Sequence, residues 1–398
     1  MPGARNGECV RIGRPGSPRI GAEVISCDGP AVSLLPLAST AGLGVGDRVR
    51  PAPDLESFPC CEEMIGRILD PFGAPLDGLG PTTALERRPL HGAAPDPLAR
   101  PMIDEQLVTG IRAVDALVPV GKGQRIGLYS GPGAGKSTLL GTLASRGDCD
   151  SAVVCLVGER GREAREFAER SLGSAGLARS VLIVATADAP AAVRARAVES
   201  ATAAAEWLRD RGLHVLLLVD SLTRVARAKR DAALSIGELP ARGGYPASAL
   251  SALPPILERA GRSPRGTITA VYTVLTEGRD DPVAEETRSL LDGHIVLCEK
   301  MAGAGRWPAI DPLASASRVM AGITPEATVA RAQTLRRIMG AYRRNEDLIL
   351  MGAYRAGSCR DTDRAIELRE EIDSFLLQGS SEETPLEETR RRLEALVS

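Results

Sequence analysis

The sequence predicts an α/β fold built on a parallel-rich sheet, preceded by a small β-barrel-like module and followed by a helical one. Three observations lead there. After Pro101, short apolar runs alternate with longer helical segments, the pattern of strand–helix–strand units. The stretch from about Glu8 to Gly80 is rich in glycine and proline, with short apolar runs such as Ala31 to Leu37 between turn-forming clusters, which favours strands over helix. From about Thr324 onward the patterning is purely helical.

In chain order, these signals divide the sequence into a barrel-like domain over 1–88, a nucleotide-binding domain over 89–321 and a helical domain over 322–398. Pro89 to Pro101 reads as the linker between the first two. Strands are expected near Ile126–Ser130, Ala152–Val157, Val181–Thr186, Val215–Asp220, Ile268–Val274 and Ile295–Cys298, each short and apolar enough to be buried in a parallel sheet. Helices fill most gaps. Pro190–Arg211 is one: a proline opens it, Ala, Glu and Arg dominate it, and Gly212 follows its end. The C-terminal helices are expected to break at Gly357–Ser358 and at Gly379–Thr384, where turn residues cluster.

Composition narrows the function classes. A chain of 398 residues with 43% hydrophobic content can bury a sizeable core. With 49 basic against 51 acidic residues the net charge is −2, so the overall balance points to neither nucleic acid nor an anionic membrane surface. Its eight cysteines show no CxxC spacing and accompany no His cluster, the pattern of reduced cytosolic thiols rather than of a zinc or redox site. No stretch approaches the roughly 20 apolar residues of a membrane span, and the N-terminus lacks a signal-peptide core. A cytoplasmic protein is expected.

The strongest chemical signal lies where the strand Ile126–Tyr129 runs into SGPGAGKST (Ser130 to Thr138) and then into an apolar helix start at Leu139 and Leu140. Gly131, Gly133 and Gly135, with Pro132 and Ala134 between them, let successive backbone N–H groups turn inward around phosphates, while the following helix offers its positive end to the anion. Lys136 should reach the β and γ phosphates, with Thr138 beside it at the helix start. The Ser137 hydroxyl would ligate Mg²⁺. One residue departs from the general GxxxxGK[ST] pattern, the first glycine being replaced by Ser130. Read as an ordinary Gly-rich turn, the segment would have no need of Lys and Ser in this order.

Two acids complete the site. Val153–Val157 ends in GERGRE, which places Glu159 at the carboxyl end of a sheet strand, where open α/β sheets bind ligands. Glu159 is a candidate for activating the attacking water, and the adjoining Arg160 for a nucleotide contact. The run Leu216 to Val219 ends in Asp220, a Walker B aspartate that would hold the Mg²⁺ shell. Taken alone, either acid reads equally as an exposed strand end or a helix cap.

The ordered strings SGPGAGKST, GERGREAREF, LLLVDSLTRVARAKRD, GGYPASALSALPPILERAG, YTVLTEG, SLLDGHIVL and PAIDPLASASRVM strongly resemble the type III secretion and flagellar export ATPases. These are relatives of the catalytic subunit of rotary ATP synthases. The resemblance covers nearly the whole chain, from GRILDPFGAPLDG (Gly66 to Gly78) to GAYRAGS (Gly352 to Ser358). It implies an N-terminal β-barrel, a RecA-like nucleotide domain and a C-terminal helical domain. It also implies a homohexameric ring that hydrolyses ATP with Mg²⁺, engages stalk and regulator proteins of the export apparatus, and releases or unfolds chaperone-bound substrates. Residue by residue, it gives Lys136 the phosphate role, Glu159 the catalytic role, Asp220 the Walker B role and Arg318, in the SxSR motif, the role of a finger reaching a neighbouring subunit's nucleotide. Trp307 stands where the family's adenine-stacking aromatic, usually tyrosine, precedes PAID. Outside the resemblance, Arg318 reads as a surface ion-pair residue; for Trp307 a core role is the lesser alternative to stacking.

Several segments depart from the family. The matched barrel region begins at about Glu8, so the family's N-terminal tail and first barrel strands look absent, which is expected to weaken barrel closure and any peripheral contact with the inner membrane. The loop after YTVLTEG is shortened to RDDPVAEE (Arg279 to Glu286), and CEKM (Cys298 to Met301) replaces a basic pair. GGYP (Gly243 to Pro246) resembles the family's central-pore segment, but a simple turn would carry the same residues.

Three competing functions meet specific residues. A nucleic-acid motor would need aromatic stacking platforms in a basic groove, yet the region before the linker offers Phe58 and Phe72 and no basic run. A non-catalytic nucleotide-binding subunit would lack Glu159. A rotary catalytic subunit shares its sites with partner subunits, whereas here one chain carries both Glu159 and Arg318.

Overall fold

The computed structural model describes residues 3–13, 19–29, 31–276 and 281–398. The first four strands, β1 (Cys9–Gly13), β2 (Ile20–Asp28), β3 (Ala31–Pro36) and β4 (Arg48–Pro51), form one antiparallel sheet in the order β3-β2-β1-β4. Alternation along them turns Val10, Ala22 and Val24 inward, with Ile12, Val32, Leu34 and Val49 packed around. Among the described residues β3 and β4 are edges, so the sheet is not closed into a barrel.

The module expected to run to Gly80 gives up its second half to the next domain. β5 (Ser57–Cys60) and β7 (Glu86–Pro89) form a separate antiparallel ribbon, and β6 (Ile68–Leu69), inside the GRILDPFGAPLDG motif, adds itself to the edge of the large sheet. Phe58, Cys60, Met64 and Leu69 are buried in that sheet's own core cluster. A two-residue strand carries no periodicity that could announce a partner more than 110 residues away.

The short pair β8 (Gln106–Leu107) and β9 (Val120–Gly121) leads into the large sheet. Its strands are β10 (Arg125–Ser130), β11 (Ser151–Glu159), β12 (Ser180–Thr186), β13 (His214–Asp220), β14 (Gly261–Arg262), β15 (Thr267–Leu275), β16 (Gly293–Val296) and β17 (Ala316–Ser317). The order is β17-β16-β10-β15-β13-β11-β12-β6, parallel throughout except for β17, with β14 pairing antiparallel to β15. The expected strands are present. The sixth lies two residues earlier than expected, because Leu297 makes only an isolated bridge to Ile310.

Both faces are covered, as a parallel sheet requires. Val153, Cys155 and Val157 of β11 pack on the side of helix Ala191–Arg209, while Ala152, Val154 and Leu156 pack on the side of helix Lys136–Arg146. The helical end comprises Glu326–Leu350, Arg360–Glu367, Arg369–Leu376 and Leu386–Val397. The break at Leu368 has no sequence signal, since its neighbours are all good helix formers. Buried Arg112 ties this end to the nucleotide domain: its guanidinium donates to the carbonyls of Phe375 and Leu377 and pairs with Glu382. Among the described residues no helix is long and apolar enough to cross a membrane.

Candidate functional site

β10 ends at Ser130 and helix Lys136–Arg146 starts six residues later, so the phosphate-loop sequence spans a strand-to-helix turn at the carboxyl edge of the sheet. Gly133 and Gly135 take φ of +75° and +85°, the left-handed region where a side chain would be strained. Gly131 is needed for a different reason: a Cβ there would fall 1.4 Å from Glu299 Oε1. CEKM thus lays an acid against the first residue of the loop, where the family's basic pair is expected. Ser130, at the position of the pattern's first glycine, is buried, and its hydroxyl has no hydrogen-bond partner among the described residues.

Neighbouring strand ends bring in the acids. β11 and β13 are paired with Leu156 level with Asp220, and Glu159 follows at the end of β11. The Lys136 ammonium sits between them, with Nζ 2.6 Å from Asp220 Oδ1 and 3.8 Å from Glu159 Oε1. A cleft of about 710 Å³ opens over these groups, lined also by Ser137, Thr138, Glu163 and Phe167. The three residues that the sequence placed in one site are together, and Ser137 faces the same space.

Glu159 is 8% exposed, and burial pushes its carboxyl up to about 7, helped by a hydrogen bond with Glu163 and the charge of Asp220, against the opposing pull of Lys136 and Arg224. Glu163 is held below the usual carboxylate range, first by that same hydrogen bond. Glu159 is therefore the member of the pair that keeps the proton near neutrality. Its Oε2 accepts from Arg224 Nη2 at 3.2 Å, while Oε1 receives no hydrogen bond among the described residues. A buried acceptor without a donor, above a loop of inward-turned backbone, fits a polyanionic ligand with its water and Mg²⁺.

Arg224 and Glu163 were missed in the sequence. Arg224 lies one turn beyond Asp220 on helix Leu222–Ser235, donating to the Gly158 carbonyl as well as to Glu159. Glu163 is one turn beyond Glu159. Both spacings, four residues after a strand-end acid, were available as signals. Arg160 points elsewhere: its side chain is largely exposed and lies 3.7 Å from Glu163.

Arg318 is far from its own cleft. It follows β17, and its backbone N–H donates to the Asp292 carbonyl, while the Asp292 N–H donates to Arg125 at the opposite end of β10 from the phosphate loop. Five residues of strand, roughly 16 Å at the usual rise, separate that level from Ser130. Trp307 is half-buried with its indole edge 3.8 Å from where a Gly135 Cβ would stand, and its carbonyl accepts from the Gln378 N–H. GGYP forms a turn with Gly243 and Gly244 at positive φ before helix Ala247–Ser251. Of the shortened loop, residues 279 and 280 lie outside the described residues, and the rest opens helix Pro282–Leu290 with Asp281 as its cap. The aromatic platforms of a nucleic-acid motor are not free: Phe58 is fully buried and Phe72 is covered by the Arg196 guanidinium at 4.7 Å.

The profile of the ATP synthase alpha/beta family, nucleotide-binding domain, matches residues 110–317, and that of the T3SS EscN ATPase C-terminal domain matches residues 324–395. The type 3 secretion system ATPase of Sinorhizobium fredii is 44% identical over 401 residues, spanning 100% of this chain and 89% of the relative. The flagellum-specific ATP synthase of Bacillus subtilis is 43% identical over 380 residues, spanning 95% and 87%. Among solved structures, the assembled ATPase EscN in complex with its central stalk EscO, from the enteropathogenic E. coli type III secretion system, superposes with a TM-score of 0.92 at 39% identity, covering 100% of this chain and 96% of that one.

Proposed function

The chain belongs to the ATP synthase alpha/beta family, in its branch of type III secretion and flagellum-specific ATPases, and from that premise we propose that it hydrolyses ATP as a homohexameric ring that drives type III protein export. The observation that carries the reading is the meeting of Lys136, Glu159 and Asp220 at the carboxyl ends of three sheet strands, above a glycine turn.

ATP lies with its phosphates on the backbone N–H groups of Gly131 to Thr138, and Lys136 leaves Asp220 to reach the β and γ oxygens. Ser137 and Asp220 would hold Mg²⁺, which would supply neutralisation of charge on the phosphate oxygens. Water attacks the γ-phosphorus as the bond to the bridging oxygen breaks, and Glu159 orients that water and takes its proton on Oε1, which accepts no hydrogen bond among the described residues. Arg224 keeps Glu159 turned to the cleft. Trp307 stacks on adenine, and Arg160 reaches the nucleotide by swinging away from Glu163. Arg318, out of reach of its own phosphates, serves the neighbouring copy, so each site is completed by two subunits.

The ring works in the cytoplasm, docked peripherally at the inner membrane through the export apparatus, with a stalk protein of the EscO kind and chaperone–substrate complexes as partners. A rotary catalytic subunit is the weaker reading, because this one chain carries both Glu159 and Arg318. Native mass spectrometry with ATP, with ADP and without nucleotide tests the proposal. ATP should assemble six-fold rings and ADP should not, since the γ-phosphate gives Arg318 its partner across the interface. Monomers under every condition would overturn it, as would a several-fold, salt-sensitive stimulation of hydrolysis by single-stranded nucleic acid.

A further inference from the structure

Asp220 stands at the end of β13, and its neighbour in the sheet is β15, with Val219 level with Tyr272. The next residue pair therefore places Thr273 beside Asp220 on the same face of the sheet. Thr273 is completely buried, and its Oγ1 donates to Asp220 Oδ1 at 2.8 Å. The same oxygen accepts from Lys136 Nζ at 2.6 Å. Among the described residues nothing donates to Oδ2, and Asp220 lines the cleft.

These two donors differ in permanence. Lys136 sits on a side chain that swings and must turn to the phosphates when nucleotide arrives, which takes its hydrogen bond from Asp220. Thr273 is β-branched, locked in a buried strand, and cannot follow. Without it, an aspartate released by Lys136 would rotate about χ2 and present either oxygen.

Resting on the reading of Asp220 as the Mg²⁺-shell carboxylate, we propose that Thr273 is a positioning residue. Its hydroxyl holds Oδ1 after Lys136 has left, so that Oδ2 stays aimed at the metal and its water shell. Thr273 touches neither nucleotide nor metal. It acts through Asp220, and the signal is specific to divalent-cation affinity.

The test uses the full-length chain with ADP and Mn²⁺ as the probe, reading free Mn²⁺ by electron paramagnetic resonance. Thr273→Val keeps shape and strand preference while removing the hydroxyl. It should weaken Mn²⁺ binding to the ADP complex about tenfold, the effect of losing one hydrogen bond to a charged group. ADP affinity in EDTA should stay within about twofold, and Thr273→Ser should restore the Mn²⁺ affinity. Asp220→Asn is the control that separates the two layers. If it leaves Mn²⁺ affinity unchanged, the metal role of Asp220 is wrong. If it weakens binding but Thr273→Val does not, the positioning role alone is wrong. Equal loss of EDTA-measured ADP affinity in Thr273→Val would likewise overturn it, by making the hydroxyl a packing element. Should the valine variant fail to fold, Thr273→Cys, with its weaker donor, must fall between threonine and the tenfold loss.

Discussion

At the carboxyl ends of β10, β11 and β13, a lysine, a glutamate, an aspartate and an arginine engage one another around one cleft. At the far end of the same sheet, level with Arg125, Arg318 is exposed, and its Nη2 meets only the Arg288 carbonyl at 3.3 Å among the described residues. The first cluster has its cations and acids already matched within one chain. The second holds a cation that meets no acid among the described residues, at the end of the sheet opposite that chain's own phosphate loop. The contrast is what the proposed ring requires: two halves of one site on opposite sides of a subunit, to be completed by neighbouring copies.

The largest effects should come from the cleft half. Lys136→Ala is expected to abolish ATP hydrolysis and weaken nucleotide binding together. Glu159→Gln should lose turnover by roughly 10³ or more while a fluorescent nucleotide still binds, because the amide keeps the shape but cannot take a proton. Equal loss of binding in both would remove the distinction between them.

Arg318→Ala should cost about 10³ to 10⁵ in turnover, with activity no longer rising with protein concentration. Mixing it with Lys136→Ala sharpens the comparison. In a randomly mixed ring about a quarter of interfaces pair an intact phosphate loop with an intact arginine, so activity should return to that order. No rescue, in mixtures shown by mass to be hetero-rings, would place both halves in one subunit.

A smaller effect concerns pH. Glu159 must be ionised to accept a proton, and its carboxyl is raised to about 7, so kcat/KM should climb as pH rises through that value. The same shift acts oppositely on folding. The native state holds the proton more tightly than the unfolded chain, so the stability contributed by Glu159 is fully present below the ordinary carboxyl value of 4.5 and is lost as pH rises from there through about 7. Glu163→Ala removes the hydrogen bond that helps raise Glu159 and should move the acid limb of the kcat/KM profile to lower pH. An unmoved limb would detach the pair from catalysis.

The smallest expected change is at Trp307. Trp307→Tyr should leave KM for ATP within about twofold and Trp307→Ala should raise it about fivefold, the range of an aromatic contact. No change in either would return Trp307 to the packing of Gly135 against Gln378.

Local signals in the chain determined much of this. Glycines at 131, 133 and 135 before Lys136 announce the phosphate loop without any fold, because only that backbone needs them there. Apolar runs ending in Glu159 and Asp220 announce strands whose acids must emerge at the sheet's carboxyl edge. The resemblance placed Arg318 in trans from the same letters. What adjacency in sequence cannot carry is which strand lies beside which. β15 comes between β10 and β13 though it follows both in the chain, and that order alone puts Thr273 on Asp220. β6, too short to have a period, joins β12 across 110 residues and takes the GRILDPFGAPLDG motif out of the expected barrel. Glu159's raised carboxyl likewise depends on burial and on Glu163 and Asp220 closing around it, against the pull of Lys136 and Arg224. Register and burial are sums over partners distant in the chain, so only the assembled sheet decides them.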